Sequence, residues 1–300
     1  MKSSSVGQPS LPNLIIIGAR KAATSSMHMY LGLHPQINMS KAKELSFFDN
    51  SHRNWKKGVS WYKINFDDRY EINGESSPQY SRFPKICGVP ERMRGILGHD
   101  IKIMYMVRDP VERILSDYVQ IQEWKQLANW GSALLPWYET VKNIENHEEL
   151  YIKGSSYFCQ IQQYLKYFPR ENIFVIVQER LEKNVAGVMQ KVFRFLGVDD
   201  NFCSPEFDRR VNEARLKRHQ AAWFRKWAPS WLKAELDSGA RLPWPVNRAI
   251  VRLSRMGAPI VEKPNLREAD DIKLQRLLRN DVTEFRKFLE DPLCEWRPYS

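Results

Sequence analysis

The chain has 300 residues, 43% hydrophobic, 12% aromatic and 27% charged, the makeup of a soluble globular protein long enough for one large domain or two modest ones. A net charge of +11 directs attention to anionic partners (nucleic acid, a membrane surface, a polyanionic substrate) against the plainer reading of a solvated basic surface. No run reaches the roughly 18 consecutive apolar residues of a membrane span, and Cys87, Cys159, Cys203 and Cys294 are too scattered to argue for a metal site or a disulfide framework.

The opening "MKSSSVGQPSLPN" has no apolar core, so residues 1–12 read as a disordered lead-in rather than a secretory signal. Cytoplasmic residence with free thiols is the matching expectation. "NLIIIG" (13–18) reads as a buried parallel strand. A helix is predicted over 24–32, capped by Thr24 or Ser25 and closed by Gly32 and Pro35. "KIMYMVRDP" (102–110) is a second buried strand, stopped at Asp109-Pro110, and 111–124 has apolar residues at helical spacing. "NIFVIVQ" (172–178) is a third strand, followed by a helix over 185–196 that ends at Gly197.

The stretch 220–264 is rich in Trp, Arg and Pro. It reads as a helical excursion on the acceptor side, with an amphipathic element touching a membrane or lipid-like acceptor as the alternative. Residues 266–290 form one amphipathic helix, with Leu274, Leu277, Leu278, Val282, Phe285, Phe288 and Leu289 on its apolar face. Strands alternating with helices predict a single α/β, P-loop-like domain over 13–300. It has a central, mainly parallel sheet flanked by helices, plus a helical C-terminal excursion.

The turn after the first strand, "GARKAATSS" (18–26), holds the first chemistry. In an ATP or GTP loop the lysine sits at the helix start and the next hydroxyl holds Mg²⁺. Here Lys21 comes three residues after Gly18, and Ala22-Ala23 stand where glycine is common. The amides of Arg20, Lys21, Ala22, Ala23, Thr24 and Ser25, with the helix dipole, still make an anion site. Arg108 falls at the end of the second strand, where α/β ligands bind, and Ser116 follows two helical turns later, with Arg113 nearby. An arginine fork with a hydroxyl suits a second phosphate, so the ligand read from these residues carries two separated phosphates.

The motifs resemble those of sulfotransferases that use 3′-phosphoadenosine 5′-phosphosulfate, nearest to the heparan sulfate 3-O- and N-sulfotransferase branch and its bacterial relatives. "GARKAAT" (18–24) is similar to that branch's G-x-R-K-G-G-T loop, "KELSFFD" (43–49) to K-E-x-x-F-F-D, and "ESSPQY" (75–80) to E-K-T-P-x-Y. "RDPVERILSDY" (108–118) is similar to R-D-P-x-E-R-x-x-S-D-Y, and "SSYFCQIQQYLKYFP" (155–169) and "NEARLK" (212–217) echo later elements.

The resemblance implies that Lys21 neutralises the oxygen bridging sulfate and 5′-phosphate, while Thr24, Ser25 and the loop amides hold that phosphate. Arg108 and Ser116 would take the 3′-phosphate, Tyr157 and Arg215 would complete the donor site, and Glu44 would be the catalytic base. Six histidines, His28 and His52 nearest the motifs, are the alternative bases. Ser76 stands where the family has lysine, and no counterpart of the Golgi members' cysteine pair or membrane anchor is evident. Both departures point to a bacterial-type enzyme. No metal is expected. The expected acceptor is a hydroxyl, with an amine as the second choice, of a saccharide, lipid-linked molecule or small natural product, with no nucleic acid and no transmembrane segment. A P-loop small-molecule kinase and a non-catalytic basic polyanion-binding protein remain the competing classes.

Overall fold

The computed structural model describes residues 8–49, 54–127, 137–148, 151–208, 229 and 263–299. Five strands form one sheet: β1 (Leu14–Gly18), β2 (Ile37–Met39), β3 (Ile72–Ser76), β4 (Lys102–Val107) and β5 (Ile173–Val177). Their spatial order is β2-β3-β1-β4-β5, and every neighbouring pair is parallel. The described helices are α1 (Thr24–Leu31), α2 (Gly58–Lys63), α3 (Val89–Leu97), α4 (Pro110–Leu127), α5 (Trp137–Lys142), α6 (Tyr157–Leu165), α7 (Gln178–Lys183), α8 (Val185–Leu196) and α9 (Glu268–Leu289). Among the described residues no helix is long and apolar enough to cross a membrane.

The apolar runs behave as central strands of a parallel sheet should, covered on both faces. Leu14 to Ile17 and Ile103 to Val107 are all 0% exposed. From β1 in the middle, the chain passes to one side for β2 and β3 and to the other for β4 and β5. That reversal opens a crevice at the carboxyl ends of β1 and β4, the usual ligand position in such sheets.

β3, "INGES", is a strand that sequence patterning missed, because four of its five residues are not apolar, yet all five are buried. Its polar groups are paired inside the fold. The Asn73 amide donates to the Asp67 carbonyl at 2.8 Å, and its oxygen accepts from Asn38 at 2.7 Å and from the Asp67 amide at 3.0 Å. Residues 8–12, within the expected lead-in, are ordered, since the Gln8 amide donates to Asp68 and Pro9 bridges Asp67.

α9 packs against α6 and α4 through Leu274, Leu278, Val282 and Phe285, all 0% exposed. This stripe is narrower than expected, and Leu277 faces outward at 39% exposure. Acidic residues in its first turn and basic ones in its last match the helix dipole. Asp281 reaches across to accept from the amides of Phe158 and Cys159 at 3.0 and 2.9 Å, closing the N-terminus of α6.

Gly18 ends β1 at φ 147°, and a Cβ built there would lie 2.0 Å from Ser81 Oγ and 3.3 Å from the Pro78 carbonyl. Strain and overpacking then act together, so Gly18→Ala is expected to destabilise the fold by about 3 kcal/mol. Urea unfolding of the two proteins measures this directly, and equal midpoints would refute the close approach.

Candidate active site

The chain enters α1 through a left-handed turn. Lys21 has φ 69° and Ala23, the residue before the helix, has φ 59° and ψ 21°, with no side-chain cap. The expected Thr24 or Ser25 cap is therefore absent. The left-handed turn moves both hydroxyls into the first helical turn, where Thr24 is buried and Ser25 half-buried. A Cβ-bearing residue in this conformation costs about 1–2 kcal/mol, which glycine would not. The first-turn amides have no partner within the helix and, with the dipole, form an anion-binding end.

Side chains of the loop divide between packing and the crevice. Ala22 is 0% exposed and offers only its backbone. Arg20 turns into the protein, with Nη2 3.0 Å from Asp117 on α4. Lys21 Nζ lies 3.4 Å from Gln120 Oε1, also on α4. Arg108, directly after β4, donates from Nη1 to the Lys21 carbonyl at 3.3 Å, so the two arms predicted from sequence meet. Arg108 Nη2 sits a long 3.5 Å from Glu112, and Arg108 Nε is buried without a hydrogen-bond partner.

Ser116 is 9% exposed on α4. Arg113, expected close to the ligand, is instead locked inside: it donates to Ser155 Oγ at 2.6 Å and the Tyr151 carbonyl at 3.0 Å, and pairs with Asp117 at 3.4 Å. Tyr157 is 0% exposed, and its hydroxyl donates to the Arg108 carbonyl at 2.9 Å. Its reach into the site thus runs through the backbone that carries Arg108. Arg215 and, apart from Pro229, Lys263 and Pro264, the stretch 220–264 lie outside the described residues.

Glu44 is on the loop after β2, at φ 63°, and its amide donates to the Ser76 carbonyl at 3.0 Å, at the end of β3. Its carboxylate pairs with Lys43 at 2.6 Å. His28 on α1 donates from Nε2 to the Ser40 carbonyl at 3.1 Å; burial, then Lys43, lowers its pKa to about 4, so the ring is neutral at pH 7. His28 therefore fastens the start of the Glu44 loop to the helix of the anion site. Ser76, at the family's lysine position, is 0% exposed and its Oγ has no hydrogen-bond partner.

Sequence reasoning missed the group beneath this loop. The amides of Phe47 and Phe48 donate to Tyr80 OH at 2.9 and 3.2 Å, and that of Ser46 donates to Ser77 Oγ at 3.0 Å. Both hydroxyls donate hydrogen bonds to Glu75, at 2.9 Å each, and Tyr62 OH donates a third at 2.6 Å. Three consecutive loop amides are thus tied to one carboxylate that is 0% exposed. Burial raises its pKa from 4.5 to about 7, although the three hydroxyl bonds pull it down.

A carboxyl group whose pKa is raised by folding favours the fold below its unfolded value, and that contribution is lost as pH climbs through the folded one. From pH 4.5 to about 7 the loss is on the order of 3 kcal/mol. Measured across that window, the stability of wild type relative to Glu75→Gln is expected to fall. His28 and Asp281 titrate in both proteins and cancel, so a flat difference would refute the buried-carboxyl account.

A strand, a left-handed loop, a helix N-terminus and an opposed arginine at the switch of a parallel sheet define a P-loop-like α/β domain. Residues 11–232 match the family model described as a sulfotransferase domain, and the chain belongs to that family, as its motifs implied. It is 33% identical over 192 residues to the heparan sulfate glucosamine 3-O-sulfotransferase 5 of Mus musculus, covering 63% of this chain and 54% of that protein. Against the heparan sulfate glucosamine 3-O-sulfotransferase 3B1 of Mus musculus it is 29% identical over 198 residues, 65% of this chain and 48% of the relative. The chain therefore spans about half the length of the curated relatives it matches. Among solved structures, a sulfotransferase from Alicyclobacillus acidocaldarius shares the fold, with a TM-score of 0.53 and 24% identity over 78% of this chain and 98% of that one.

Proposed function

We propose that the protein transfers a sulfuryl group from 3′-phosphoadenosine 5′-phosphosulfate to a hydroxyl of a saccharide, lipid-linked molecule or small natural product. The observation that carries this reading is the meeting of two anion arms: Arg108 bonds to the Lys21 carbonyl while its own Nε remains buried and unpartnered. An unsatisfied buried guanidinium N–H is costly and fits an anionic ligand that completes it. When bound, the donor supplies an activated sulfuryl group and a leaving phosphate on which negative charge builds.

The residues divide that work. The α1 amides with Thr24 and Ser25 hold the 5′-phosphate, and Arg108 with Ser116 the 3′-phosphate. Tyr157 keeps the Arg108 backbone in place, and Arg215 is assigned to the same site by its motif alone. Lys21 offsets charge on the leaving oxygen. Glu44 accepts the proton of the attacking hydroxyl once Lys43 releases it. Four free cysteines support residence in a reducing compartment such as the cytoplasm.

Family membership weighs against a P-loop kinase, and the built donor crevice against a purely passive polyanion binder. Adenosine 3′,5′-bisphosphate without metal is expected to raise Tm, whereas ATP with Mg²⁺ is not; at a hundredfold excess over Kd the stabilisation is about 2.7 kcal/mol. The opposite pattern would sink the donor assignment. Labelled-sulfate transfer across glycans, lipids and small alcohols then identifies the acceptor.

A further inference from the structure

We propose that the C-terminal segment 290–299 is part of the donor site, with Arg297 a positioning residue that keeps Arg108 available for phosphate. The inference rests on the donor reading above. It concerns residues beyond the 11–232 matched by the family model.

The segment leaves α9 and fastens the first turn of α4, which starts two residues after Arg108. Arg297 donates from its amide to Asp109 Oδ2 at 2.9 Å and from Nη1 to Asp109 Oδ1 at 2.6 Å. Its other groups reach Glu112 Oε1 at 3.1 Å and Asp271 at 2.9 Å. Tyr299 OH accepts from the Val111 amide at 3.2 Å. Trp296 Nε1 donates to Glu179 Oε2 at 3.2 Å, and the other oxygen of Glu179 accepts from the Asp109 amide at 2.8 Å. Trp296 also packs on Tyr157, with ring centres 5.7 Å apart, and Tyr157 holds the Arg108 carbonyl.

The important competitor is Glu112. It lies one helical turn from Arg108, in position to make a paired-oxygen ion pair that would spend the guanidinium. Arg297 occupies one of its oxygens and Lys263 the other, and Arg108 is left at 3.5 Å. Burial opposes ionisation of Glu112, yet Lys263, Arg297 and Arg108 together hold its pKa below the usual carboxylate value, so it is charged at neutral pH. Without Arg297, Glu112 loses its donor at Oε1, and Arg108, already 3.5 Å from Oε2, can close on the carboxylate as a fork, which would remove the charge aimed at the 3′-phosphate.

The test compares adenosine 3′,5′-bisphosphate with adenosine 5′-monophosphate by isothermal titration of the full chain. Arg297→Ala is expected to weaken the bisphosphate about tenfold and leave the monophosphate within about twofold, the scale of one charge-assisted bond. Arg297→Lys, which keeps charge but loses the fork, falls between. Adding Glu112→Gln to Arg297→Ala is expected to restore bisphosphate affinity, because the competing carboxylate is gone. Equal losses for both ligands, or no rescue, would reduce Arg297 to a structural brace and overturn the inference alone. Should Arg297→Ala not fold, Arg297→Lys with and without Glu112→Gln decides: a bisphosphate-selective loss that Glu112→Gln restores supports the inference, and no loss or no rescue overturns it. A wild type that binds neither ligand would overturn the donor assignment as well.

Discussion

Glu44→Gln is expected to lower sulfuryl transfer by about 10²–10⁴-fold, the usual worth of a positioned base, with adenosine 3′,5′-bisphosphate affinity unchanged. The exchange is isosteric, so the loop bond from the residue 44 amide to the Ser76 carbonyl survives. Only the charge and the capacity to take a proton are lost. The side chain is 49% exposed and stands on the loop after β2, whereas the anion arms are built from α1 and the β4–α4 junction. On the proposed reading, a hydroxyl acceptor meets Glu44 from solvent, on an element separate from those assigned to the donor. Lys43, 2.6 Å away, is the group it must exchange for that hydroxyl, so Lys43→Ala should alter the acceptor KM more than kcat. Full turnover by Glu44→Gln would remove this carboxylate from the chemistry, and His28, neutral and next to the same loop, would be the base to examine.

Lys21→Ala is expected to reduce kcat by about 10²–10³-fold at saturating donor, comparable with removing one preorganised oxyanion donor. At φ 69° both residues carry a Cβ in the left-handed region, so the backbone strain is the same before and after the change. The bond from Nζ to Gln120 is long, at 3.4 Å, and its partner carries no charge. The ammonium is therefore held in place more than it is neutralised by that contact. Interaction with a leaving oxygen predicts a fall in kcat, because the charge it meets grows only as the bond breaks. A rise in donor KM with kcat unchanged would show uniform binding instead and would assign Lys21 to the 5′-phosphate alone.

β1 and β4 were legible because a parallel strand buried on both faces has no reason to alternate, and β5, at the sheet edge with Phe174 and Val175 half-buried, because its apolar run is as continuous. β3 was not, since its Asn73 and Glu75 are matched by partners from Asn38, Asp67, Tyr62 and Tyr80 that no local pattern announces. The loop lysine and Arg108 could be read from their places at strand ends. That Arg20 and Arg113 would turn inward to Asp117 could not, because basic residues in a motif look alike until the packing decides which are desolvated. The role of Glu75 as the anchor of the Glu44 loop had only a weak signal, an acid, a serine and a tyrosine at spacings of two and five. Arg297 had none: it meets Asp109 across 188 positions of sequence.

The strand order has a consequence for synthesis. β1 is the earliest in sequence of the five described strands and the middle one of the sheet, with Leu14 opposite Gly74 on one side and Lys102 on the other. During translation "LIIIG" must wait with both edges unpaired until β3 has been made, and with one edge unpaired until the chain has grown past Val107. Such late, long-range pairing is slow, and the waiting strand is the segment most open to wrong partners. A nascent chain stalled between β3 and β4 should accordingly be the most aggregation-prone length, and chaperone capture should fall once β4 has emerged.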